Sequence, residues 1–198
     1  MAEFSNKALK LILEYEGLNQ PGKWPGGQSG ITIGIGYDLG YLTVDQFESD
    51  WGEYLPPKTR ERLKAVVGLR AIRAKNRASV LADVRIKRAD AEEVFKDKTI
   101  PLYTLRASQA FPGFEELPLD VQGALVSLVY NRGTSMVDDS PEDRRREMRA
   151  IQHATAESDL QEIADELRAM KRLWVGKGLD GLLKRRDAEA DLVESAIV

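Results

Sequence analysis

The sequence predicts an α+β fold: a first helix, a small β element, then a mainly helical C-terminal lobe. Two patterns carry this reading. Phe4, Ala8, Leu11, Ile12 and Tyr15 recur at spacings of three and four, one apolar face of a helix over residues 3–16. Ile31, Ile33, Ile35 and Tyr37 then alternate with Thr32, Gly34, Gly36 and Asp38, the two-residue period of a strand.

The remaining elements follow in order. Ser5 is placed to cap the first helix and Gly17 to stop it. Residues 19–30 are rich in Gly, Pro, Asn and Ser, which is loop and turn chemistry. Thr43-Val44-Asp45-Gln46 fits a capping box and opens a helix to about residue 54, which Pro56-Pro57 ends. Residues 58–82 read as helix with a break at Gly68. Residues 89–98, 119–130 (behind Pro118), 141–153, 158–173 and 180–195 complete the helical part. No internal repeat appears. Residues 1–198 read as a single domain, with 1–57 carrying the first helix and the β element and 58–198 forming the helical lobe.

Composition narrows the chemistry. Of 198 residues, 42% are apolar and 31% charged, enough to build a core. No run approaches the length of a membrane-spanning helix, and the N-terminal residues show no basic-then-apolar secretion signal. With no cysteine and one histidine, disulfide frameworks, thiolate nucleophiles, Cys-type zinc sites and HExxH metalloproteases are excluded. A hydrolase with this composition would take its acid and base from carboxylates. The lone His153 sits in a polar helical stretch and reads as a surface residue.

The net charge of −3 hides one basic stretch. Residues 58–88 hold 11 basic and 2 acidic side chains in an otherwise acidic chain. Such a stretch suits an anionic polymer, or helix faces whose charges pair with acidic segments elsewhere. No aromatics interleave with these cations in sequence, so nucleic acid is not an expected partner.

Glu16 through Asp38 holds the chemistry. Glu16 falls in the last turn of the first helix, where the negative end of the helix dipole disfavours an ionised carboxylate. A carboxyl group that keeps its proton is what a general acid needs, although the position also suits an ordinary surface glutamate. Thr32, Gly34, Gly36 and Asp38 share one strand face, which two glycines leave flat and open to a sugar ring. Fully extended, Thr32 and Asp38 would lie roughly 20 Å apart. The chain must therefore bend at Gly34, Gly36 or just after Tyr37 if the two act together. Gly34-Ile35-Gly36-Tyr37-Asp38-Leu39-Gly40 is not a dinucleotide loop, because its third glycine comes one residue late and no βαβ unit surrounds it.

These residues carry a family resemblance. Glu16-Gly17 followed by Thr32-Ile33-Gly34-Ile35-Gly36-Tyr37 resembles the opening of the phage-type lysozymes, which cleave peptidoglycan glycan strands. Residues 124–133, Ala-Leu-Val-Ser-Leu-Val-Tyr-Asn-Arg-Gly, resemble their helix end, and residues 178–190, with Arg185-Arg186 and Ala188-Glu189, resemble their last helix. Many members place an aspartate about six residues before the threonine. Here no acid lies between Glu16 and Thr32, and Asp38 follows the threonine by six residues. That order is similar to the muramidase domain of the pesticin family.

The resemblance implies a lysozyme-like fold and hydrolysis of the β-1,4 bond between N-acetylmuramic acid and N-acetylglucosamine, without metal or cofactor. It implies Glu16 as acid, Asp38 as partner carboxylate and Thr32 as a water-positioning hydroxyl. A lone-glutamate scheme, as in lytic transglycosylases, is the alternative if Asp38 stands clear of the cleft. Arg185 matches the arginine that holds the glutamate, with Arg186 as the alternative register. Tyr37, Tyr130, Asn131 and Gly133 are placed along the sugar groove; Asn131 and Gly133 would equally serve to end a helix. Trp24 is the best sugar-stacking tryptophan, and Trp174 reads as core. The expected partners are peptidoglycan strands and, for a toxin, a cognate immunity protein. The expected site of action is the periplasm or cell wall of a target bacterium, reached by phage lysis, a secretion system or bacteriocin import. A non-catalytic wall-binding or nucleic-acid-binding protein on the same fold is the rival.

Overall fold

The computed structural model describes residues 4–18, 21 and 24–197. In chain order the helices are α1 (Asn6–Tyr15), α2 (Val44–Trp51), α3 (Pro57–Lys64), α4 (Ala71–Ala78), α5 (Arg88–Val94), α6 (Ile100–Ala110), α7 (Leu119–Arg132), α8 (Arg146–Glu157), α9 (Leu160–Ala169) and α10 (Asp180–Glu194). Two short strands, β1 (Thr32–Ile33) and β2 (Tyr37–Asp38), pair antiparallel between α1 and α2. This is the α+β, mainly helical architecture that the sequence predicts. The expected start of the first helix at residue 3 lies outside the described residues.

The chain divides into two compact units, residues 1–15 with 100–198, and residues 16–99. The lobe boundary expected after residue 57 is not where packing divides the chain. Segment 58–99 stays with the hairpin because its backbone bonds to it: the Gly68 N–H donates to the Leu39 carbonyl (2.9 Å) and the Ala71 N–H to the Ser29 carbonyl (3.0 Å). Helix α1, for its part, packs on α7 and α10.

In the helical unit α7 is the central element. Val121 and every residue from Gly123 to Val129 are buried, so it is enclosed nearly all round rather than along one stripe. Helix α6 packs on it as well, while α8, α9 and α10 pack in succession. The first helix starts as the sequence predicts. The Ala8 N–H donates to Ser5 Oγ (3.1 Å), whose hydroxyl donates to Asp120 Oδ1 (2.5 Å), and Lys7 pairs with Asp120 Oδ2 (2.8 Å). One cap therefore fixes the start of α1 to the first turn of α7. Gly123 permits their close approach, because a Cβ there would lie 2.1 Å from the Ala8 Cβ.

In the unit of residues 16–99 the hairpin turns through Gly34 and Gly36, at φ 54° and 65°. Gly34 also leaves room for the buried Trp51, whose ring would meet a Cβ there at 2.7 Å. Trp51 stands edge-on to Tyr37 (5.6 Å) and Tyr54 (6.5 Å). The Thr43 capping box is present in both directions: Gln46 N–H to Thr43 Oγ1 (3.2 Å) and Thr43 N–H to Gln46 Oε1 (2.9 Å). Gly68, at φ 76°, makes the expected break between α3 and α4. Pro57 does not merely end α2; it opens α3 at its first position.

Helix α6 is the one element that the sequence reading passes over. It continues from α5 through a wide π turn over Phe95–Thr99. Pro101 explains the widening. It has no N–H to give the carbonyl of Asp97, and its ring would clash with that carbonyl in a regular helix.

The α1–α7 contact is the least tolerant point of the helical unit. Gly123→Val is expected to lower unfolding free energy by about 3 kcal/mol, the upper range for overpacking a filled contact. Urea denaturation followed by circular dichroism would measure it; a loss below about 0.5 kcal/mol would mean that the helices can separate there at little cost.

Candidate active site

The hairpin supplies the bend that the sequence demands. Thr32 and Asp38 are direct cross-strand partners, and Ile33 faces Tyr37. Thr32 and Asp38 therefore share one face, with Cβ atoms about 5 Å apart as directly opposed residues are. Thr32 is 8% exposed, and among the described residues its hydroxyl makes no hydrogen bond.

Asp38 is held by backbone. Its Oδ1 accepts the N–H groups of Gly30 (3.0 Å) and Gly40 (2.8 Å), and its Oδ2 takes a longer share of the Gly30 N–H (3.2 Å). It thereby caps the 3-10 turn Leu39–Tyr41. The carboxylate sits where two backbones touch: a Cβ on Gly30 would lie 2.3 Å from Gly40 N and 2.5 Å from Asp38 Oδ1, and one on Gly40 would lie 2.7 Å from Gly30 Cα. Oδ1 is filled, whereas Oδ2 keeps acceptor capacity to spare.

Glu16 follows α1 directly and is half-buried. Trp24 is half-buried in the 24–30 loop, its Nε1–H donating to the Ser29 carbonyl (3.0 Å) and the Lys75 ammonium lying 5.7 Å from its ring centre. Tyr37 takes the opposite strand face from Thr32 and Asp38. Its hydroxyl donates to Asp50 Oδ2 (2.6 Å), and burial, helped by that bond, pushes its ionisation well above the ordinary tyrosine range. Trp51 and Trp174 are buried and His153 is exposed.

The other proposed residues belong to the helical unit. Tyr130 stands edge-on to Tyr103 (4.7 Å), and Arg106 lies 4.7 Å from the Tyr103 ring centre. With Gly133, Met136 and Gln152 they line a pocket of about 570 Å³. Gly133 ends α7 at φ 71°, its N–H donating to the Val129 carbonyl (2.8 Å), and Asn131 is exposed in the last turn.

The double arginine resolves into two environments. Arg185, 2% exposed, donates from Nε to Ser127 Oγ (3.2 Å) and Glu189 Oε1 (3.3 Å), and from Nη2 to the Ser127 carbonyl (3.2 Å). Its guanidinium lies 6.0 Å from the ring centre of Tyr15, the residue before Glu16 in the chain. Arg186 turns inward to Glu189 Oε1 (2.7 Å) and lies 6.0 Å from the Trp174 ring centre; burial lowers its affinity for its proton. Ser127 completes the cluster, its hydroxyl donating to Glu189 Oε1 (2.5 Å).

Sequence reasoning missed the Gly30 and Gly40 cradle, the Ser127 and Glu189 anchors and the Tyr103–Arg106 wall. The i,i+4 spacing of Arg185 and Glu189 was the available signal for the anchors. No signal marked Tyr103, because α6 itself went unread. Among the described residues no group of three or more His, Asp or Glu side chains converges as a metal site. No helix there is long and apolar enough to cross a membrane.

The cradle makes a stability prediction. Asp38→Ala strands two buried N–H groups and is expected to cost about 2–6 kcal/mol, at about 1–3 for each stranded donor. Chemical denaturation would read it; an unchanged midpoint would show that water replaces the carboxylate freely.

A comparison with curated proteins gives no match. A family model does match, over residues 10–148, which takes in Glu16, the hairpin with Thr32 and Asp38, and all of α7. That model describes pesticin, as a bacterial toxin homologue of phage lysozyme in its C-terminal part, and a match over more than half of its length means that the chain belongs to the pesticin family of phage-lysozyme homologues.

Proposed function

We propose that the protein is a peptidoglycan muramidase that cleaves the β-1,4 bond between N-acetylmuramic acid and N-acetylglucosamine with two carboxylates. The observation that carries this reading is the pairing of Thr32 with Asp38 across the hairpin. A hydroxyl without a protein partner beside a carboxylate oxygen with spare capacity is a seat for one water. In the proposed mechanism Glu16 protonates the leaving glycosidic oxygen. Asp38, through Oδ2, takes a proton from that water as it attacks the anomeric carbon, and Thr32 holds the water in line. A held water favours inversion, for which carboxylate separations of about 6.5–9.5 Å are usual.

Arg185 is the residue proposed to hold Glu16. Its rigid anchoring by Ser127 and Glu189, with the guanidinium against Tyr15, supports that role over Arg186, which is committed to the interior. Trp24, Tyr130, Asn131 and Gly133 are proposed sugar contacts. Tyr37 is proposed to act at one remove, by holding the hairpin against Trp51. The family's description as a bacterial toxin favours an antibacterial effector or bacteriocin domain over a phage endolysin, acting on the wall of a target cell and countered by an immunity protein.

Released reducing ends on purified peptidoglycan test the chemistry. Wild type should release them. Glu16→Gln should reduce the rate by roughly 10²–10⁴-fold, the usual worth of a general acid, and Asp38→Asn by a similar factor. Thr32→Ala should cost on the order of a hundredfold through a misplaced water. Activity that survives Asp38→Asn but not Glu16→Gln would move the mechanism to a single glutamate. No sugar release by wild type would leave a wall-binding protein on a lysozyme fold.

A further inference from the structure

The basic stretch of the sequence separates into cations that the fold satisfies and cations that it leaves open. Arg60 and Lys64 meet Glu48 (3.4 and 2.9 Å), Arg62 meets Asp83 (2.6 Å) and Arg88 meets Glu92 (2.6 Å). Arg85 donates to the carbonyls of Ala82 and Val84. Lys58, Lys87 and, on and just before α4, Arg70, Arg73, Lys75 and Arg77 are all exposed, and among the described residues no carboxylate pairs with them. Arg73 and Arg77 stand one turn apart on the same helix face, a spacing at which like charges repel and destabilise a helix. Among the described residues no carboxylate offsets that repulsion.

The position of the strip is fixed. Ala71, at the start of α4, donates its N–H to the Ser29 carbonyl (3.0 Å) and is held at φ 52°, a conformation rare for a residue with a side chain. This places the cations on the loop that cradles Asp38. Lys75 lies over Trp24 (5.7 Å) and Arg70 over the exposed Tyr41 ring (5.0 Å). The Arg70 stem also closes on Gly40, where a Cβ would meet it at 2.7 Å. Two aromatic rings and two open cations, Arg70 and Lys75, thus flank the backbone that holds Thr32 and Asp38, while Arg73 and Arg77 stand on the other side of α4, about 200° round the helix from Lys75. The sequence separates those rings from the cations; folding brings them together.

We propose that Arg70 and Lys75 bind the free carboxylates of the peptide stems carried by the glycan strand, a recognition that rests on the muramidase reading. The sugar backbone of such a strand carries no regular charge, whereas its peptide stems present carboxylates at intervals along it. Cations beside the hairpin would hold the stems of a strand whose sugars lie against Thr32 and Asp38. The rest of the protein is acidic, so attraction to an anionic wall must be local.

Co-sedimentation with insoluble sacculi on ice, at low and at raised salt, tests this. Three preparations are needed: native sacculi, sacculi treated with hydrofluoric acid to strip phosphate-linked polymers, and the stripped sacculi with stem carboxyl groups amidated. Wild type should bind the first two alike and bind the amidated wall at least about tenfold more weakly. Arg73→Gln/Arg77→Gln, on the other side of α4, should bind like wild type, whereas Arg70→Gln/Lys75→Gln should lose a similar factor on stripped sacculi and gain nothing from low salt. Its circular dichroism and melting should match wild type, and its hydrolysis of stem-free glycan should be unchanged. Binding that survives amidation, or an Arg70→Gln/Lys75→Gln variant that binds like wild type, overturns the proposal. Binding lost on acid stripping assigns the strip to phosphate polymers instead, and tight salt-dependent binding to single-stranded oligonucleotide without wall binding assigns it to nucleic acid. If carboxylate-dependent binding holds while wild type releases no sugar from any substrate, the muramidase reading fails and the strip stands as a wall-binding surface.

Discussion

The carboxylate of Asp38 is the point on which the hairpin-bearing unit depends. It ties together the 24–30 loop, the second strand and the 3-10 turn by accepting N–H groups from Gly30 and Gly40. Those two N–H groups lie where backbones touch, too close for a side chain at either glycine. Two further backbone bonds extend the arrangement, Gly68 to Leu39 and Ala71 to Ser29. They attach the α3–α4 segment to the same turn. Gly34 and Gly36, expected to leave a strand face flat and open to a sugar, instead form the turn of the hairpin at φ 54° and 65°.

The helical unit solves a different problem. Its core carries Arg185, Arg186 and Glu189 at 2%, 0% and 0% exposure. Burying three charges is expensive, and apolar residues of similar size would usually serve stability as well or better. Glu189 Oε2 and Arg186 Nε are left without hydrogen-bond partners, so the cluster is not optimised for stability. What it does achieve is a fixed guanidinium: Ser127 and Glu189 leave Arg185 little freedom to turn. The proposed role of Arg185, presenting its charge in one direction, would justify such a cluster better than core stability does.

The sequence made legible whatever depends on local chemistry. The Ser5 cap, the Thr43 box, the Gly68 break and the close of α7 at Gly133 each follow from one residue type meeting one backbone requirement. The need for a bend between Thr32 and Asp38 was also legible, because an extended chain cannot bring them together. What stayed hidden depends on contacts distant in sequence. Helix α6 was obscured by Pro101, which a π turn absorbs. The Gly30–Gly40 contact joins residues with no pattern between them. The division of the chain at residues 15 and 99 reflects which helix packs on which, and periodicity alone does not encode partners.

One tension runs through the site. A residue that holds a turn together is seldom free to act as a base, and Asp38 is proposed to do both. The geometry eases the conflict by dividing the two oxygens. Oδ1 is saturated by Gly30 and Gly40, while Oδ2 has only the longer, shared contact at 3.2 Å. Under the proposed mechanism the structural bonds also serve the chemistry. Two backbone donors fix the carboxylate in one orientation before substrate arrives, so little reorganisation remains for the moment of reaction.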